Sequence, residues 1–179
     1  IETRIIPILG NICDKKILNK LFSTYNINTL YHTAAYKHVT LVEKNPLSGI
    51  YNNVFGTLNI TQAAIENKID SFILISTDKE VSPKSIMGKT KRITEIITRS
   101  LSEISENKNT IFSMVRFGNV LNSNGSVVPL FREQIRNGGP ITLTHLDVTR
   151  YLMTISEAAL LVIQAGAMSK NGELFILDM

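Results

Sequence analysis

Tryptophan is absent from this chain of 179 residues, and cysteine occurs once, at Cys13. A single thiol excludes an internal disulfide and suits a reducing cytosol. No apolar stretch approaches the roughly 20 residues that span a bilayer, and no segment reads as a signal peptide. His32, His38 and His145 lack the spacing of zinc ligands, so no metal is expected. Charge of one sign is also scarce. The formal net charge is +4, without a dense Lys/Arg cluster. That argues against nucleic acid and mildly favours an acidic ligand such as a sugar nucleotide. Missing too is the G-x-G-x-x-G turn that opens a dinucleotide-binding sheet.

What is present is ordinary for one globular domain: 44% hydrophobic and 19% charged residues. Strand-like and helix-like segments alternate with short connections. Strands are expected at Ile5–Leu9, Thr29–Thr33, Phe72–Ser76, Ile111–Phe117, Ile141–Thr144 and Glu173–Leu177. Helices are expected at Lys15–Tyr25 with Asp14 as N-cap, Leu47–Asn67, Thr90–Ser105, Val127–Arg136, and Ser156–Met168 capped by Ser156. Gly138-Gly139-Pro140 breaks the fourth of these helices. Repeated βα units imply an α/β fold, a doubly wound parallel sheet of Rossmann-like type. The chain begins without Met, almost directly in an expected strand, and stops at Leu177-Asp178-Met179. The expectation is a single core, residues 1–179, cut from a longer protein that carries the first strand, turn and helix upstream.

The run Phe72-Ile73-Leu74-Ile75 ends in Ser76-Thr77-Asp78-Lys79. In an open parallel sheet, ligands bind at the carboxyl ends of the strands. A hydroxyl, a carboxylate and an amine in succession there suit a reaction that removes one proton and delivers another. Taken alone, Asp78-Lys79 reads first as a solvated turn with a local ion pair, and it is the neighbouring residues that change this. The polar loop Asn119–Ser126 is of the kind that carries binding residues, and residues 119–150 form the expected substrate-facing segment.

Seven blocks occur in order. They are Leu9-Gly10-Asn11-Ile12-Cys13-Asp14, His32-Thr33-Ala34-Ala35-Tyr36-Lys37-His38-Val39, Asn53-Val54-Phe55-Gly56-Thr57, Ser76-Thr77-Asp78-Lys79, Met87-Gly88-x-Thr90-Lys91, Arg116-Phe117-Gly118-Asn119-Val120 and Gly125-Ser126-Val127-Val128-Pro129. Together they resemble the polysaccharide-biosynthesis branch of the extended short-chain dehydrogenases/reductases, which contains UDP-N-acetylglucosamine 4,6-dehydratases. The likeness is nearest to the long, membrane-anchored bacterial members. It implies an NAD-dependent lyase acting on a UDP-sugar in the cytoplasm, or on the cytoplasmic face of the inner membrane in the full-length protein. NADP stays open alongside NAD, because the acidic residue that separates them lies upstream.

The resemblance implies roles by position. Asn11 and Ile12 would flank the adenine, with Asn standing where the family often has Asp. Ala34, Ala35 and Tyr36 would line the cofactor cleft together with Phe117 and Gly118. Asn53 would support the strand ends. Lys91 would hold the nicotinamide ribose. Thr77 would polarise the C4 oxygen, Asp78 would protonate the departing C6 hydroxyl, and Lys79 would take the C5 proton, the last two as a coupled pair. Lys37, Asn119, Ser126 and Val127 would meet the substrate. Arg132 and Arg150 are diphosphate candidates because a guanidinium binds phosphate bidentately, though each reads first as a solvated charge; for Lys37 a surface charge is an equal alternative. Met87 stands where the wider superfamily has its catalytic Tyr. A thioether exchanges no proton, so Lys91 through water, or the Asp78-Lys79 pair, must do that work. A 4-epimerase and a non-catalytic nucleotide-binding module are the rival readings. In relatives, helices equivalent to Leu47–Asn67 and Thr90–Ser105 pair into a homo-oligomer; packing on the sheet explains their apolar spacing equally well.

Overall fold

The computed structural model describes residues 4–77, 84–104, 109–123, 126–143, 145–147, 149 and 151–177. Asp78, Lys79 and Arg150 lie outside the described residues. The apolar run after Ser71 is apolar on both faces because it is a central strand. β2 (Ser71–Thr77) lies between β1 (Thr29–His32) and β3 (Ile111–Phe117), with β6 (Leu174–Ile176) beyond β3. All three pairings are parallel. Strand alternation sends Phe72, Leu74, Phe112 and Met114 to one face. There they meet Leu18 and Phe22 of α1 (Lys15–Thr24) and Ala63 and Ala64 of α4 (Gly56–Glu66). Ile73 and Val115 go to the other face and pack on Ala165 of α7 (Ile155–Met168). Helices therefore cover both faces of a parallel sheet, the doubly wound Rossmann-like arrangement expected from the sequence.

Local chemistry sets most boundaries. The Asp14 carboxylate accepts from the amides of Lys16 (2.9 Å) and Ile17 (3.4 Å), which starts α1 where expected. α6 (Val127–Arg136) ends at Gly138 and Gly139, both at positive φ, where a side chain would be strained. The helix expected over 47–67 is one helical run in three parts: α3 (Pro46–Ile50), a π-helical turn (Tyr51–Phe55), then α4. Before it comes α2 (Val39–Lys44), a short helix without a sequence signal.

Four expectations are corrected. Residues 4–9 form no strand; Ile5 and Leu9 are exposed, and no neighbouring strand among the described residues offers them a ladder. Residues 141–143 form none either. The Thr142 amide donates instead to Gln134 Oε1 (3.2 Å), and Gln134 Nε2 donates to Thr142 Oγ1 (2.8 Å), so a side chain of α6 replaces a strand partner. Thr144 lies outside the described residues. α5 (Ile86–Glu103) starts earlier than Thr90 because Ser85 Oγ accepts from the Gly88 amide at 3.0 Å. α7 is capped by Thr154 rather than Ser156, in a reciprocal capping box with Glu157. A parallel pair, β4 (Asn119–Val120) with β5 (Leu152–Met153), is also too short to leave a pattern in sequence. Among the described residues, no helix is long and apolar enough to cross a membrane.

Candidate functional site

β1, β2 and β3 run parallel, so their carboxyl ends open on the same rim. A cleft of about 740 Å³ lies there. Its walls come from Ala35 and Lys37 after β1, Thr77 at the end of β2, and Phe117, Gly118 and Asn119 after β3. α5 adds Met87 and Lys91, one helical turn apart on the same face. The amino end of α6 adds Ser126 and Val127. Residues expected from sequence to bind cofactor, substrate and the reacting centre are thus brought together from segments far apart in the chain. Thr77 lines the cleft directly before Asp78 and Lys79.

Lys91 reaches across from α5 and donates from Nζ to the Ile75 carbonyl at 2.6 Å, which fixes the ammonium at the end of β2. Met87 is buried and packs as a wall of the cleft. Ser126 Oγ is buried and has no hydrogen-bond partner among the described residues. Ala34 is exposed and is not among the lining residues. Arg132 is exposed on α6, away from the lining set. Asn11 and Tyr36 line a second, smaller recess beside Cys13, Tyr51 and Asn52. Ile12 packs over Gly56, where an added Cβ would lie 2.5 Å from Ile12 Cδ1, so any larger residue would have to displace the Ile12 side chain.

The loop after β1 is held by Asn53 in the π-helical turn. Its Oδ1 accepts from the Tyr36 amide (2.7 Å) and from Asn52 Nδ2 (3.1 Å). Its Nδ2 donates to the Tyr36 carbonyl (3.1 Å) and to Thr90 Oγ1 (2.9 Å). Every donor and acceptor of this fully buried amide is used. Asn53 thereby ties the loop carrying Ala35 and Lys37 to the residue next to Lys91. Behind it, Glu95 on α5 is buried against Arg116 of β3. Arg116 Nε donates to Glu95 Oε1 at 2.6 Å and Nη2 donates to Oε2. Arg92 Nη1 also reaches Oε2, at 3.0 Å. This pair locks the helix that carries Lys91 to the strand that ends in Phe117.

Sequence reasoning missed two contributors. Leu152 lines the cleft by way of the β4–β5 pairing. Glu43 of α2 accepts from the Ile86 amide at 2.5 Å and so holds the first turn of α5. Neither position carries a motif; only the fold brings them in. Among the described residues, no group of three His, Cys, Asp or Glu side chains gathers as a metal site.

Comparison with known proteins agrees with this architecture. The family described as "Polysaccharide biosynthesis protein" matches residues 1–179. The capsular polysaccharide biosynthesis protein CapD of Staphylococcus aureus is 48% identical over 97% of this chain, which spans 29% of that protein. A UDP-glucose 4-epimerase of Rickettsia rickettsii is 34% identical over 94% of this chain and 49% of its own length. Among solved structures, Pen from Bacillus thuringiensis superposes with a TM-score of 0.90 at 38% identity, covering 96% of this chain and 52% of that one. DesIV of Streptomyces venezuelae, a dTDP-glucose 4,6-dehydratase solved with NAD and TYD bound, superposes with a TM-score of 0.83 at 18% identity. It covers 93% of this chain and 56% of its own, a likeness of fold. The chain spans between about three tenths and half of the length of these curated relatives. With a full-length family match, a relative at close to half identity and the sheet-end cleft in place, this chain belongs to the polysaccharide biosynthesis proteins, a branch of the extended short-chain dehydrogenases/reductases.

Proposed function

We propose that the full-length protein is an NAD-dependent nucleotide-sugar 4,6-dehydratase, converting UDP-N-acetylglucosamine to a UDP-4-keto-6-deoxy sugar for surface polysaccharide or glycan synthesis. The observation that carries this reading is the cleft at the ends of β1, β2 and β3. It collects Thr77, Met87, Lys91 and Asn119 on one wall system, and the acid–base pair Asp78-Lys79 follows Thr77 in the chain.

The residues present fit a dinucleotide. Ala35 leaves room for close approach, Lys91 offers an anchored cation, and the buried Ser126 hydroxyl lines the same wall. NAD, when bound, supplies a reversible hydride acceptor. Ala35, Phe117, Gly118 and Lys91 would hold it, with Asn11 and Ile12 toward the adenine. Lys37, Asn119, Ser126 and Val127 are the substrate-facing set, with the arginine at 150 as a diphosphate partner. The Thr77 hydroxyl hydrogen-bonds the sugar's C4 oxygen. Lys79 takes the C5 proton, made acidic by the neighbouring ketone, while Asp78 gives its proton to the C6 hydroxyl as water departs. Met87 moves no proton, so the C4 hydroxyl proton would pass to Lys91 through water, or to the Asp78-Lys79 pair, as the C4 hydride leaves to the cofactor. From there the hydride would return to C6 after water departs.

The test is product mass after incubation of the full-length protein with NAD and UDP-N-acetylglucosamine. The expected product is lighter than substrate by one water. Lys79→Ala abolishes that loss, and a variant that still dehydrates fully overturns the assignment. The relative named as a UDP-glucose 4-epimerase favours a second reading, in which hydride returns to C4 from the opposite face. That product keeps the substrate mass, whereas untouched substrate identifies an inert nucleotide-binding module. We place the full-length protein in the cytoplasm, membrane-anchored, and paired through the outward faces of the 46–66 helical run and α5, which expose Leu47, Tyr51, Phe55, Ile93 and Ile96.

A further inference from the structure

We propose that His32 and Thr57 are positioning residues for the loop that follows β1, acting through the Asn53 backbone; the consequence for the nucleotide rests on the NAD reading above. β1 ends at His32, so the sheet ladder stops before Ala35, Tyr36 and Lys37, and the loop must be held from elsewhere. The Asn53 side chain holds it by bonding both the Tyr36 amide and the Tyr36 carbonyl. That side chain projects from a π-helical turn, an irregular stretch whose register needs support.

The support is a chain of hydrogen bonds with one possible polarity. Thr57 Oγ1 lies 2.6 Å from the Asn53 carbonyl. A carbonyl only accepts, so the single hydroxyl hydrogen is committed there. His32 Nε2, 2.8 Å from the same Oγ1, must then be the protonated nitrogen. All three residues are buried to within 3% of full enclosure. The ring lies tilted against Phe72, with centroids 5.9 Å apart, which leaves it little freedom to turn. Burial, and next the charge of Lys91, lower the His32 pKa to about 4, so the ring is neutral at physiological pH. A fixed tautomer at the end of the strand therefore sets the hydroxyl, the hydroxyl sets the turn, and the turn sets the cleft wall.

The experiment uses the full-length protein and two readouts: amide exchange of the peptide containing Tyr36 without nucleotide, and calorimetric titration with NAD. His32→Phe keeps a ring without the donor. Thr57→Val keeps the shape without the hydroxyl. His32→Gln restores an N–H near the Nε2 position. Exchange at Tyr36 should quicken in the Phe and Val variants, and their Kd for NAD should rise roughly five- to tenfold, the worth of one neutral hydrogen bond. His32→Gln should stay near wild type, and His32→Phe combined with Thr57→Val should be no worse than either alone. Unchanged exchange in Thr57→Val overturns the proposal, as does a His32→Gln protein impaired as much as His32→Phe. If His32→Phe fails to fold, Thr57→Val decides. A wild-type protein that binds no NAD, while Thr57→Val still loosens Tyr36, overturns the cofactor reading and leaves the positioning role standing.

Discussion

His32 makes stability depend on pH at a single residue. Its folded pKa is about 4 against 6.5 when unperturbed, chiefly because burial disfavours the imidazolium and secondarily because Lys91 repels it. Between those values the unfolded chain binds a proton that the folded chain refuses. Protonation then favours unfolding, and stability falls as pH drops from 6.5 toward 4 and is flat, for this group, above 6.5. Integrated over the window, the loss is about 3 kcal/mol. Urea melts across that range should show it, and the His32→Gln protein should lack that component. Stability also rests on the Glu95 carboxylate, through its pairing with Arg116. Removing its carboxylate takes both of its bonds from the buried Arg116 guanidinium, so Glu95→Ala should lose about 3–5 kcal/mol by denaturant melts. Replacing both with apolar residues of similar volume, Glu95→Leu with Arg116→Met, should recover most of that loss.

At the scale of elements, α5 carries the most consequence, because Met87 and Lys91 are placed by where it starts. Its first turn is held by Ser85 Oγ on the Gly88 amide and by Glu43 Oε1 on the Ile86 amide. Ser85→Ala should cost about 1 kcal/mol of stability, as N-cap losses do. Glu43→Ala should free the Ile86 amide, seen as faster exchange in the first turn of α5 with the last turn unchanged. The element scale is also where sequence reading succeeded and failed most visibly. β3 and α6 were legible to the residue, because an apolar run and a Gly-Gly break are local signals. The start of α5 was not, since half of what holds it comes from Glu43, in a helix without a pattern of its own. Residues 5–9 and 141–143 have strand-like composition, but a strand exists only with a partner, and partners are not written locally. The π-helical turn is equally invisible in the apolar spacing of 47–67, and yet it is what aims Asn53 at Tyr36.

For the whole molecule, the parallel sheet and its covering helices followed from alternation of βα units, and the rim position of the site followed from the sheet. Lys91, Thr77, Ala35, Lys37, Asn119 and Ser126 converge as the ordered motifs implied. Arg132 and Ala34 do not join them, because helix and loop orientation, rather than residue type, decides which side chains face inward. A ligand that binds across this rim stabilises the entire domain. NAD at a hundred times its Kd should raise the unfolding free energy of the full-length protein by about 2.7 kcal/mol, read as a higher urea midpoint at unchanged slope.

Because neighbouring strands in this sheet all point the same way, no two of them can be joined by a tight hairpin, and each must wait for a helix-length excursion to close. During synthesis, a ribosome-bound chain that ends before β3 has emerged holds two of the three strand ends that frame the pocket, and none of its far wall. On the cofactor reading proposed above, capture of the nucleotide should therefore await the third strand, so that added ligand would stabilise full chains and leave those stalled before β3 unchanged.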